Sequence, residues 1–171
     1  SSAGDRALQG AFASTGTATT AITNSGTIIA DDETIYLVFD NEAPLVFNNN
    51  NGGTITARNN EAIFLQNLDA PVSFSTAAGR TITADDEVIV FDSVEDEAEM
   101  TFSNGGTISA ASTSATHVLN FTGFTGTLAF DNLSTGIIRS AGGSPVYAAQ
   151  NAGTLAERAL DFNNAGRITS A

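Results

Sequence analysis

Asn51-Gly-Gly-Thr-Ile-Thr-Ala57 returns, barely altered, as Asn104-Gly-Gly-Thr-Ile-Ser-Ala110. Variants of the same phrase stand at Asn24-Ser-Gly-Thr-Ile-Ile-Ala30, Ala78-Gly-Arg-Thr-Ile-Thr-Ala84, Ser134-Thr-Gly-Ile-Ile-Arg-Ser140 and Asn164-Ala-Gly-Arg-Ile-Thr-Ser170. The central isoleucines Ile28, Ile55, Ile82, Ile108, Ile138 and Ile168 follow one another at 27, 27, 26, 30 and 30 residues. A period in this range marks a repeat architecture, in which each unit buries its apolar face on its neighbours.

Two further pieces recur in each unit. One ends in phenylalanine, at Phe47, Phe74, Phe102, Phe130 and Phe162; the other is apolar, as in Thr34–Phe39, Ala62–Leu65, Val88–Phe91, His117–Phe121 and Pro145–Tyr147. All are three to six residues long, rich in Ile, Val, Phe and Thr, and separated by Gly, Asn, Asp and Ser, which is strand-and-turn chemistry. The best helical candidate, 152–161, carries Gly153 and Thr154 near its start and predicts at most one turn. Three short strands per unit predict an all-β chain folded as a right-handed parallel β-solenoid of five to six rungs. A sandwich, the other all-β reading, gives no reason for the phrase to return at this period. Residues 21–171 form the repeat domain, and residues 1–20, with Leu8 and Phe12 as their large apolar side chains, read as an N-terminal cap or a degenerate rung.

Period-two alternation turns the isoleucine of Thr-Ile-Thr inward and its neighbours outward. Ile28, Ile55, Ile82, Ile108, Ile138 and Ile168 are then one core column, and Phe47, Phe74, Phe102, Phe130 and Phe162 a second, with rings offset-stacked. The outward Thr27, Thr54, Thr81 and Thr107, with Thr56, Thr83 and Ser109 beyond them, resemble the paired threonines of an ice-binding solenoid. Ile29, Ile137, Arg139 and Arg167 interrupt that array. Asn24, Asn51, Asn104 and Asn164 are expected to stack as a ladder of amides at one corner.

The chain carries 19 acidic residues against six arginines and no lysine, a net charge of −13. Nucleic acid and anionic membranes are repelled by such a surface. Lysine-based catalysis, disulfides and thiolate chemistry are excluded by composition, and the single His117 cannot build a multi-histidine metal site. No apolar run is long enough to insert in a membrane. The start, Ser1-Ser2-Ala3-Gly4, is expected of a processed protein or a piece of a longer one.

The acids repeat too, as Asp31-Asp32-Glu33 and Asp85-Asp86-Glu87, with Arg58 between them in the stack. Asp31, Arg58 and Asp85 each lie three residues after their isoleucine and predict a surface charge ladder worth about 0–1 kcal/mol per pair. The same six acids are the candidate ligands for calcium, which takes six to eight oxygens. They are also the candidate acid and base of a glycosidase, whose carboxyls must stand about 5 Å or about 6.5–9.5 Å apart. His117 with Ser112 or Ser114 lacks the Gly-x-Ser-x-Gly elbow of a hydrolase triad.

The phrases Asn-Ser-Gly-Thr-Ile-x-Ala and Asn-Gly-Gly-Thr-Ile-Thr-Ala resemble those of bacterial autotransporter passengers and related secreted β-helix surface proteins. The resemblance runs from about Ile22 to Ala171. It implies a bacterial protein, extracellular or at the cell surface. The expected function is a non-enzymatic structural or adhesive rod without a cofactor that self-associates end to end or laterally, with a surface glycan or protein as a further partner. The alternative is a carbohydrate-binding or carbohydrate-cleaving β-helix using the acidic corner.

Overall fold

A computed structural model describes residues 6–12, 18–41, 43–94, 99–124, 126–150 and 160–171. Every regular element among them is a strand. The first three rungs are β1 (Leu8–Phe12), β2 (Thr20–Asn24) and β3 (Thr27–Ala30); β4 (Ile35–Asn41), β5 (Leu45–Asn49) and β6 (Thr54–Ala57); and β7 (Ile63–Leu68), β8 (Val72–Thr76) and β9 (Thr81–Ala84). The last three are β10 (Ile89–Val94), β11 (Glu99–Asn104) and β12 (Thr107–Ala110); β13 (His117–Phe124), β14 (Thr127–Asn132) and β15 (Ile137–Ser140); and β16 (Ser144–Gln150), β17 (Leu160–Asn164) and β18 (Arg167–Ser170). Equivalent strands pair in parallel, giving three sheets of six strands, β1-β4-β7-β10-β13-β16, β2-β5-β8-β11-β14-β17 and β3-β6-β9-β12-β15-β18. This is the parallel β-solenoid with three strands per rung. The stretch from Leu8 to Phe12 supplies the first strand of the first sheet, paired with β4. Of the helical candidate 152–161, residues 152–159 lie outside the described residues, while Leu160 and Asp161 belong to β17.

Register explains the repeat. Ile28, Ile55, Ile82, Ile108, Ile138 and Ile168 pair rung to rung in one column. Ile55 through Ile138 are fully buried, and Ile28 and Ile168, in the end rungs, are partly so. The phenylalanines stack nearly parallel at 4.8 Å (Phe47–Phe74), 5.2 Å (Phe74–Phe102), 5.0 Å (Phe102–Phe130) and 4.6 Å (Phe130–Phe162). Phe91 and Phe121 of the first sheet meet this column edge to face. Each fully buried ring contributes about 1.5–3 kcal/mol.

An amide ladder, buried as far as Asn132, runs beside the rings, in a register that differs from the expected one. The column is Asn24, Asn49, Thr76, Asn104, Asn132 and Asn164. Asn51 is instead exposed in a turn, at φ 44° followed by Gly52 at φ 108°. Side-chain amides donate along the rod from Asn24 to Asn49 (2.9 Å), Asn104 to Asn132 (2.9 Å) and Asn132 to Asn164 (2.8 Å). The residue before each β-strand of the third sheet is glycine in five rungs, and at Gly53 and Gly136 the ladder amide of the same rung fills the space of a side chain. A Cβ on Gly53 would lie 2.0 Å from Asn49 Oδ1, and one on Gly136 2.2 Å from Asn132 Oδ1. The exception is the third rung, where Arg80 replaces glycine and Thr76 replaces asparagine.

Candidate functional site

The acidic corner lies where the third sheet hands over to the first. Hydrogen bonds from Thr34 N to Glu61 O (3.2 Å) and from Val88 N to Val118 O (3.0 Å) hold successive corners in layer. Extending the register of β1, β4, β7, β10, β13 and β16 by two residues places Arg6, Glu33, Glu61, Glu87, His117 and Ser144 in one column. Thus Glu33 and Glu87 do share a column, and Glu61 stands between them.

The three glutamates are held differently. Arg6 grips Glu33 through two hydrogen bonds, Nε to Oε2 and Nη2 to Oε1, both 3.0 Å, while its guanidinium lies 3.8 Å over the ring of Tyr36. That pairing holds the Glu33 carboxyl below the usual carboxylate range, against the opposing effect of burial. Glu61 has no arginine partner among the described residues: burial raises its carboxyl above the usual range against a hydrogen bond from its own backbone, and the charges of Glu33, Glu87 and Asp86 add to the rise. Glu87 accepts from the Asn120 amide at 3.2 and 3.3 Å. Both oxygens of Glu33 are therefore committed to Arg6, and Glu61 is the carboxyl that releases its proton less readily than usual.

Of the charge ladder, the lower half forms: Arg58 pairs with Asp31 on the exposed surface, and Asn60 donates to Asp32 at 3.1 Å. No ion pair among the described residues joins Arg58 to Asp85, which is exposed one rung on. Asp31, Asp32, Glu33, Asp85, Asp86 and Glu87 are thus spread over two rungs separated by the Arg58–Glu61 corner. Among the described residues no three acidic or histidine side chains are gathered as a metal ion requires. Ser112 and Ser114 bond each other at 2.6 Å, while the His117 ring stacks on Tyr147 at 4.2 Å with its Nδ1 buried and unpartnered. These groups do not assemble into a relay.

Aromatic rings flank the acids, Tyr36 stacked on Phe64 at 5.2 Å and 10°. Rings stacked along the rod turn their faces to each other and leave edges outward. On the third sheet the outward threonines hydrogen-bond along their columns, Thr56 with Thr83 (3.2 Å) and Thr81 with Thr54 (3.5 Å).

The rod's ends differ from its body. Leu160 is 56% and Phe162 46% exposed in the last rung, where earlier members of their columns are buried. Charge is also unequal along the axis. Sixteen of the 19 acids lie in residues 1–99, whereas three acids and three arginines balance in residues 100–171.

Arg6 is the site residue that sequence reading missed. Its separation of 27 residues from Glu33 equals the repeat period and is the signal that finds it. Comparison with known proteins returns no match: no family model, no curated protein and no solved structure aligns with this chain.

Proposed function

We propose that the chain is a segment of a non-enzymatic, extracellular structural rod, similar to an autotransporter passenger, that extends by head-to-tail contact between copies. The observation that carries this reading is the edge of each rung, where the phenylalanine and isoleucine columns run on in register from layer to layer through all three sheets. An edge of this kind is a template for another strand layer. The N-terminal rung of a second copy offers the matching columns, with Ile22 to meet Phe162 and Ile28 to meet Ile168.

Two features favour head-to-tail over other orders. Each ladder amide donates toward the C-terminal neighbour, so Asn164 presents its NH2 group onward and Asn24 presents Oδ1, which also accepts from Gly26 N (3.1 Å). The acidic N-terminal part repels its own kind and meets a neutral end instead. A heterologous contact of this sort generates a filament when its rotation does not close.

Sedimentation velocity across a concentration series tests the proposal, using the wild-type chain and Phe162→Asp. Wild type is expected to grow in size with concentration and the variant to remain single. Equal behaviour of the two chains refutes the end-to-end contact.

A further inference from the structure

Arg139 on β15 and Arg167 on β18 stand on paired strands, in a register that sets Ile137 beside Arg167 and Arg139 beside Thr169. Both arginines are exposed, and among the described residues neither pairs with an acid, whereas Arg6 and Arg58 do. They line one cavity of about 590 Å³ together with Ser140, Thr169, Ala110 and Ala141. That volume lies within the range of small-ligand pockets.

The chemistry of the lining is specific. Like charges on neighbouring strands repel, and an oxyanion placed between them converts the repulsion into two charge-assisted contacts. A guanidinium fork matches the planar carboxylate and the sulfate or phosphate group alike, with two parallel hydrogen bonds. Ala111, exposed, and Ala141, half-buried, offer an apolar floor to a carbon skeleton. The hydroxyls of Ser140 and Ser170 are engaged, accepting from Gly142 N (3.2 Å) and donating to Gly143 O (3.2 Å) respectively. The long-range field allows an anion here, since the net charge of −13 resides in residues 1–99 and residues 100–171 sum to zero.

We propose that this cavity binds an acidic sugar, its carboxylate or sulfate held between Arg139 and Arg167 and its ring carbons on the alanine floor. The site lies on the same corner of the rod as the acids, one rung beyond Asp85, and its β18 residues stand on the rung where copies are proposed to meet, so it is tested at concentrations where the chain is single.

The test is an NMR titration of the 15N-labelled chain with glucuronate, N-acetylglucosamine 6-sulfate and neutral glucose. Wild type, Arg139→Ala, Arg167→Ala and the exposed control Arg58→Ala are compared, with circular dichroism as the check on folding. At least one acidic sugar is expected to shift the amides of Arg139, Ser140 and Thr169, and to bind at least ten times more tightly than glucose. Each cavity variant should weaken that binding about tenfold or more, Arg139→Lys should weaken it less than Arg139→Ala, and Arg58→Ala should leave it unchanged. The carboxylate and sulfate arms identify which oxyanion is preferred. Glucose binding as tightly as both acidic sugars, no shift with any sugar, or acidic-sugar binding that survives both alanine substitutions overturns the proposal.

Discussion

Thr76 sits where five other rungs carry an asparagine, 2% exposed, with its hydroxyl buried and unpartnered. It interrupts the amide ladder: among the described residues Asn49 Nδ2 finds only Thr81 O, at 3.4 Å. Thr76→Asn would supply two amide hydrogen bonds, one from Asn49 and one to Asn104, each contributing about 0.5–1.5 kcal/mol. Arg80 forbids it. In the second rung a Cβ at the equivalent corner would stand 2.0 Å from the amide oxygen, and Arg80 has that Cβ. The single change Thr76→Asn should therefore destabilise by about 1–3 kcal/mol through overpacking. Arg80→Gly alone should lose about 0.5–1 kcal/mol through the freedom that glycine gives the unfolded chain. Together they should be neutral or stabilising by about 1–2 kcal/mol, because the glycine makes room for the amide that restores the ladder. The coupling energy of the cycle is then at least about 1.5 kcal/mol, well beyond the scatter of independent sites. Urea denaturation of the four proteins, followed by far-ultraviolet circular dichroism, measures it. Additivity within about 0.5 kcal/mol refutes the steric link between the two positions.

Ile82→Ala, at a fully buried site, should cost about 2–5 kcal/mol and Thr83→Ala less than about 1 in the same urea assay. Glu61→Gln should raise the melting temperature at neutral pH. The proton on Glu61 stabilises the fold below the ordinary carboxylate range, and that contribution is lost as pH rises through its raised value. The advantage of the variant should therefore close by about pH 3, where the wild-type carboxyl is protonated in both states. Glu33→Gln should do the opposite, losing stability at neutral pH and converging on wild type as pH falls through the depressed value, as thermal melts across pH will show. Arg58→Ala removes an exposed pair with Asp31, so its effect should stay within about 1 kcal/mol and shrink when thermal melts are repeated in high salt.

The repeat made the fold legible because the layers of a parallel solenoid demand the same residue type at the same place. Ile55, Ile82 and Ile108 could be placed on one column from spacing alone, and the phenylalanines likewise. The amide ladder was not legible from the isoleucine anchors, because the corner between the ladder and the isoleucine varies in length. Asn24 precedes Ile28 by four residues, while Asn49 precedes Ile55 by six, the two extra residues being turned out around Asn51 and Gly52. Counting from the ring column instead recovers the register, since Asn49, Thr76, Asn104, Asn132 and Asn164 each follow their phenylalanine by two. The acidic corner was legible as composition but not as geometry. The residue that divides its chemistry, Arg6, comes from a stretch too poor in apolar side chains to read as a rung. The arginine cavity was hidden for another reason: Arg139 and Arg167 are 28 residues apart and looked like interruptions of a threonine face.

The measurement that bears most directly on the account is electron cryomicroscopy of the chain at high concentration. Six strands per sheet at about 4.8 Å give a layer of about 29 Å along the axis. Polar filaments with that axial repeat are expected, in which Phe162 of one copy lies on Ile22 of the next and the amide column runs through the junction. Single rods at every concentration, or filaments that join two acidic ends, would contradict it.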